Sequence, residues 1–178
     1  MVDIPSPFGS DATDFDATDE FVPAHLPDPG PFLADHDVLT GEPHVRFHEQ
    51  THDVFEARSV YDVTFDYNLA RLNLDTRHPD AGFRYAEDRD DPDTLRAEFT
   101  PTTEFCPQGE TLAVAAFRAW NGLSDEHDYE TVRVRVHPMH QHAESVNERL
   151  ADLDPADPAG ETPATTRPDD PTTPTSPF

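Results

Sequence analysis

Apolar and polar positions alternate in short stretches along the middle of the chain and recur at helical spacing in others. Ala70, Leu72 and Leu74 alternate with Arg71, Asn73 and Asp75, a period of two that predicts a strand. Phe83 and Tyr85 continue that strand or begin another. Leu95, Ala97 and Phe99 alternate with Arg96, Glu98 and Thr100, and Val132, Val134 and Val136 with Thr131, Arg133 and Arg135, predicting two more strands. Behind Pro43, the sevenfold spacing of Phe47, Val54 and Tyr61 predicts a helix over about 44–60. Ala113, Ala116, Phe117 and Trp120 stand at i, i+3, i+4 and i+7, the buried stripe of a helix over 107–121 that Asn121-Gly122 ends. Ala143, Val146, Leu150 and Leu153 mark a last helix over about 140–153. The order α-β-β-α-β-α predicts a small α/β domain of two layers, helices on a three- to four-stranded sheet.

Proline divides the chain of 178 residues into three parts. Seven of the 19 prolines lie in 1–43 and seven in 154–178, leaving five between. Low hydrophobicity with many prolines does not offset the entropy of ordering. Residues 1–43 and the Pro/Thr/Asp tail 154–178 are therefore expected to be disordered flanks of a folded domain at 44–153.

Charge changes the picture of habitat more than of function. There are 37 Asp and Glu against 12 Lys and Arg, a net charge of −25, and every one of those cations is arginine. At about 1 M salt the Debye length is about 3 Å, so carboxylates no longer repel one another across a surface. A lysine-free, Asp-rich chain reads as a cytoplasmic protein of a salt-accumulating, halophilic cell. Its acidity argues against nucleic-acid binding, which needs a basic patch. No run approaches the roughly 20 apolar residues of a membrane span, and no charged-then-apolar leader pattern is read. A single cysteine excludes an intrachain disulfide and a Cys₄ metal site within one chain.

That cysteine, Cys106, is the leading candidate for chemistry. It precedes Pro107, a residue favoured at the first helical position, and so is expected at the N-cap of the helix over 107–121. There the helix dipole favours a thiolate, while Glu104 and Glu110 oppose it. The functional reading is a reactive thiolate or soft metal ligand; the alternative is a quiet, packed cap. His137, His140 and His142 cluster where the third strand meets the last helix, and imidazoles suit zinc or iron; solvated or capping histidines are the alternative. His44, His48 and His52 share one helix face, and His48-Glu49-Gln50-Thr51-His52 matches the zinc-peptidase pair with its base. The poor flanks of that match favour a surface or dimer-contact face. There is neither a glycine-rich phosphate loop nor a serine nucleophile elbow.

Two blocks resemble the MIP18-like (DUF59) iron–sulfur cluster assembly family. The first is Phe99-Thr100-Pro101-Thr102-Thr103-Glu104-Phe105-Cys106, followed by Thr111-Leu112. The second runs from Val134-Arg135-Val136-His137-Pro138-Met139-His140 to Glu144-Ser145-Val146-Asn147-Glu148-Arg149-Leu150. The family's Asp-Pro-Glu segment is matched only by Asp62, because Val63 and Thr64 replace Pro-Glu.

The resemblance implies a carrier or maturation factor rather than an enzyme. Cys106 would be its functional thiol, with His140 and Asp62 beside it and Cys106 and His140 the candidate metal ligands. Partners would be an assembly scaffold or ATPase and apo iron–sulfur clients. An iron–sulfur cluster usually takes four thiolates and one chain offers one, so transient binding bridged by a homodimer is expected. The alternatives are a metal-free interaction adaptor of the same fold and a histidine-ligated mononuclear metal protein or hydrolase.

Overall fold

The computed structural model describes residues 15–16 and 21–158. The elements are β1 (Asp37–Val38), α1 (Glu42–Arg58), β2 (Tyr61–Asp62), β3 (Tyr67–Asn68), β4 (Gly82–Glu87), β5 (Thr94–Thr100), α2 (Gly109–Gly122), β6 (Thr131–Val136) and α3 (Ala143–Ala151). The main sheet has the order β1-β4-β5-β6, and β2 and β3 form a separate hairpin. β4 and β5 run antiparallel with Tyr85 opposite Ala97, whereas β5 and β6 run parallel with Ala97 opposite Val134. A parallel pair needs a crossover, and α2 supplies it. The domain is thus of mixed α/β class, as the alternation predicts.

One face of the sheet carries the apolar alternates. Phe83, Tyr85, Leu95, Phe99, Val132 and Val134 are buried there with Phe47 and Phe55 of α1 and Trp120 of α2. Trp120 stands edge-on to Phe83, centroids 5.1 Å apart, and its indole N–H donates to the Thr51 hydroxyl at 3.1 Å. Burying a side chain of this size contributes on the order of 2–3 kcal/mol, and the indole's one polar atom is satisfied.

Three asparagines close backbone groups that the ladder leaves open. Asn121 at the end of α2 accepts from Val132 N and donates to Val132 O, both at 2.9 Å. Asn147 of α3 treats Val136 in the same way, at 2.7 and 2.9 Å. Asn73 does so for Phe83, at 2.7 Å in each direction. Each amide imitates a neighbouring strand, which leaves those stretches of edge with no free pair of groups for another chain.

Asn73 explains a departure from the alternation pattern. Residues Leu69–Leu74 form a 3-10 helix, not the predicted strand. Asn68 caps it by accepting from Ala70 N at 2.9 Å. Leu69, Ala70, Leu72, Asn73 and Leu74 are all buried, so the polar alternate at 73 points inward too, toward β4. Gly82 follows from this contact: its φ is +114°, and a Cβ there would collide with the Asn73 amide.

Of residues 1–43, expected to be disordered, 1–14 and 17–20 lie outside the described residues, and 21–43 form a cover over the second face of the sheet. Leu26, Leu33 and Leu39 are buried. Gly30 N donates to Glu98 Oε1 at 2.6 Å, Arg84 to Pro27 O at 3.1 Å and Arg96 to Phe32 O at 3.1 Å. The Phe32 ring receives the guanidinium carbons of Arg96 at 4.6 Å and Arg135 at 5.0 Å. Spaced apolar anchors and backbone bonds hold this segment despite its prolines. The folded unit therefore begins well before residue 44. Of the tail expected to be disordered, residues 154–158 are described and the remainder lies outside the described residues. Among the described residues, no helix is long and apolar enough to cross a membrane.

Candidate functional site

Three distant segments meet at one end of the sheet: the loop after β5, the β2–β3 hairpin and the β6–α3 connection. Cys106 lies in the first and is half-buried. It is not the helix N-cap, which is Gln108, with α2 starting at Gly109. Two tight turns intervene, Cys106 N to Thr103 O and Gly109 N to Cys106 O, each at 3.3 Å, and they delay the helix that Pro107 suggests.

The thiol is pushed up from its ordinary pKa. Burial is the largest cause; the backbone N–H groups of Gln108 and Gly109 pull it down and the Asp62 carboxylate pushes it further up. The helix start does face the sulfur, as its sequence position implies, but desolvation outweighs it. At neutral pH the group is a thiol.

His140 is buried, and both its nitrogens are engaged. Nε2 donates to the Cys106 carbonyl oxygen at 2.9 Å, and Nδ1 accepts from His142 N at 3.1 Å. These bonds define the neutral Nε2–H tautomer. Gly109 lies against the ring, where a Cβ would stand 3.0 Å from Nε2. Gln141 N donates to Glu104 O at 2.9 Å, a second tie between the two loops. Asp62 is buried and shapes its own hairpin, its Oδ1 accepting from Thr64 N at 2.7 Å and from Phe65 N at 3.3 Å. Gln108 Nε2 donates to Thr64 Oγ1 at 3.0 Å and joins the hairpin to the Cys106 loop.

The structure thus brings Cys106, His140 and Asp62 into one neighbourhood, with His140 and Asp62 holding backbone. His137 accepts from Met139 N at 3.0 Å, and Glu110 pairs with Arg149 at 2.6 Å. Among the described residues, no three His, Cys, Asp or Glu side chains converge as a metal-ion site. A cleft of about 340 Å³ opens beside Cys106 between Phe105, Pro107, His140, His142 and Val146.

Apolar exposure marks the same place. Among the described residues, three large apolar side chains are exposed: Val63 at 74%, Phe105 at 61% and Tyr61 at 38%. Phe105 lies on the Cys106 loop, and Tyr61 and Val63 on the β2–β3 hairpin that the Gln108–Thr64 bond joins to it. Spacing arguments look for buried stripes, so Val63 and Phe105 gave no signal, and Tyr61, counted into the sevenfold stripe of the first helix, lies beyond α1 in β2. Charge around these residues is one-sided: Glu104, Asp66 and Glu144 are exposed, and the nearby Arg149 is already paired with Glu110.

A family model described as a domain of unknown function, DUF7998, matches residues 13–163. The chain belongs to the DUF7998 family. The match overturns the resemblance to the MIP18-like family, whose motifs covered only two short blocks. Strand, loop, Cys and helix in succession is a local arrangement that unrelated α/β folds share. No curated protein matches the chain, and no solved structure does. The span of the DUF7998 match takes in the cover at 21–43 as well as the sheet, in agreement with the packing of that segment.

The histidines on α1 occupy a different setting from the surface face expected of them. His44 and His48 are buried at 0% and 1% exposure, their rings stacked at 5.9 Å, while His52 is exposed. His48 is bonded on both sides, to the Tyr85 hydroxyl at 2.8 Å and to Ala70 O at 2.6 Å. Burial is the main cause that lowers its pKa to about 4, against the pull of the Ala70 bond. Burial likewise takes His44 to about 3, helped by His48 and Arg84. His48 and His52 therefore do not form a paired ligand set.

Proposed function

We propose that this protein is a non-enzymatic interaction adaptor whose working face surrounds Cys106. The observation that carries this reading is Phe105, 61% exposed on the wall of an open cleft, with the exposed Val63 and Tyr61 on the hairpin that Gln108 ties to the same loop. Exposed aromatic and branched residues next to a cleft are the anchors of protein interfaces. The exposed carboxylates of Glu104, Asp66 and Glu144 fit a heterologous protein that presents an apolar side chain within a basic rim. The composition supports action in the cytoplasm of a salt-accumulating cell.

A second reading keeps Cys106 as a carrier of iron–sulfur cargo. Its support is the half-buried free thiol, lying between Asp62 and His140 at the mouth of the cleft. The commitments of His140 and the upward shift of the thiol weigh against it.

Photo-crosslinking separates the two. A photoreactive residue is placed at 63, at 105 and at the remote exposed position 126 in the cells that make the protein. The adaptor reading expects one common protein captured from 63 and 105 and absent from 126. Its affinity for purified protein should fall about 30-fold on Phe105→Asp, the scale of an anchor residue, and stay within about twofold on Cys106→Ser. Unrelated adducts from 63 and 105, or binding that needs Cys106 together with iron and sulfide, overturns it.

A further inference from the structure

The second face of the sheet gathers arginines in a chain that is otherwise acidic. Arg96 of β5 stands directly opposite Arg133 of β6, and Arg135 follows two positions on, on the same face. Like charges on neighbouring strands repel, although 37 Asp and Glu are present from which partners could be drawn. Among the described residues, only Arg96 of the three has a carboxylate partner: its Nε donates to Asp88 Oδ2 at 2.8 Å. Arg135 is half-buried against the Phe32 ring and donates to the Val134 carbonyl oxygen at 2.7 Å. Burial, helped by Arg133 and Arg96, pulls its guanidinium below the ordinary pKa. Arg133 is exposed and, among the described residues, forms no ion pair.

A groove of about 500 Å³ opens over these side chains. The β4–β5 turn forms its other wall with Asp88, Asp90 and Asp91. Asp88 accepts from Asp90 N at 2.8 Å as well as from Arg96, and Asp91 accepts from the Thr94 hydroxyl at 2.8 Å. Asp90 is exposed, and among the described residues its carboxylate has no partner. The lining is balanced, three guanidinium groups against three carboxylates. Its internal bonds leave Arg133 and Arg135 without a carboxylate on the strand wall and Asp90 without a cation on the turn wall. An anion alone meets the carboxylates, and a cation alone meets the guanidinium groups. A molecule with one group of each sign complements both walls. The guanidinium fork matches the two oxygens of a carboxylate, and the Asp90 carboxylate accepts from an ammonium group.

We propose that this groove binds a small zwitterion, whose carboxylate Arg133 and Arg135 receive and whose ammonium group Asp90 receives. The groove shares no lining residue with the cleft beside Cys106 and does not rest on the adaptor reading.

The test uses the full chain, labelled with ¹⁵N-arginine, in multimolar KCl at neutral pH. Glycine, β-alanine, γ-aminobutyrate and ε-aminocaproate are the probes, a series that widens the gap between the two charges. Acetate and ethylammonium are the single-charge controls. The best-fitting aminocarboxylate is expected to saturate, on the order of tenfold more tightly than either control, because tethering makes the second contact intramolecular. It should shift the side-chain nitrogen resonances of Arg133 and Arg135 and leave those of the exposed Arg118 on α2 in place. Arg133→Gln and Asp90→Asn change exposed side chains, and each should weaken binding about tenfold. Arg118→Gln should leave it within about twofold. Absence of saturable binding across the series, either control binding as tightly as the best aminocarboxylate, or affinity unmoved by Arg133→Gln or by Asp90→Asn overturns the proposal.

Discussion

His140 donates from Nε2 to the carbonyl oxygen of Cys106, 2.9 Å away, while its Nδ1 accepts from His142 N. The imidazole is thus a brace between the β6–α3 connection and the loop after β5. His140→Ala removes one of the two donors to the Cys106 carbonyl, leaving Gly109 N–H, and takes the acceptor from His142 N, a cost of about 1–3 kcal/mol. Urea unfolding should show that loss with an unchanged slope. The Cys106 loop should also exchange its amide hydrogens faster in the variant, a local effect that a general loss of stability would spread over the whole fold.

The thiol of Cys106 titrates above its ordinary range, because burial and Asp62 outweigh the N–H groups of Gln108 and Gly109. Alkylation by iodoacetamide at neutral pH should therefore run slower than for an unstructured cysteine, since only the thiolate reacts. Asp62→Asn removes a nearby negative charge and keeps an oxygen for the Thr64 N–H. It should lower the thiol pKa and speed alkylation several-fold. A rate faster than that of the free amino acid in wild type would show an activated thiolate and contradict the assignment.

Acid should destabilise the fold through α1. His44 and His48 have folded pKa values of about 3 and about 4 against an ordinary 6.5. The unfolded chain binds more protons than the folded one between those values. Their contribution is fully present above pH 6.5 and is lost as pH falls toward 4 and then 3, at up to about 1 kcal/mol per pH unit per histidine. His44→Phe, an apolar replacement among Phe21, Tyr85 and His48, should flatten the stability–pH slope over this window. Denaturant midpoints at pH 7, 5.5 and 4.5 measure it. Glu98, raised by burial, works in the opposite sense, so the comparison between variant and wild type isolates the imidazole.

The asparagine clamps set a further expectation. Asn147→Asp keeps an acceptor for Val136 N but places a carboxylate against Val136 O, which Asn147 Nδ2 now serves. Loss of the donor leaves an edge carbonyl open and adds repulsion. A destabilisation of about 1–3 kcal/mol is expected, read as a lowered melting temperature. Asn147→Leu should be worse, since it leaves both backbone groups unpaired.

Much of the fold was legible in the residues, and the failures have particular causes. Periodicity placed α2 and β6 within a residue or two because one face of each is buried and the other is not. It misread Leu69–Leu74, where Asn68 and Asn73 take over backbone bonding and every side turns inward except Arg71. It missed the cover at 21–43, because Leu26, Leu33 and Leu39 act as single anchors rather than a stripe. At the site, Cys106, His140 and Asp62 were found as residues, but their partners were not readable: the bond from His140 goes to backbone, which no motif encodes. Phe105 and Val63 gave no signal, since an exposed apolar side chain in a loop belongs to no period.

The adaptor reading stands or falls on Phe105. The most direct measurement is the affinity of the protein captured by crosslinking at 63 and 105, titrated in multimolar KCl against wild type, Phe105→Asp and Cys106→Ser. The expected result is a loss of about 30-fold for Phe105→Asp and a change within about twofold for Cys106→Ser. Unchanged affinity with Phe105→Asp, or loss with Cys106→Ser, would contradict a docking face built on apolar contact.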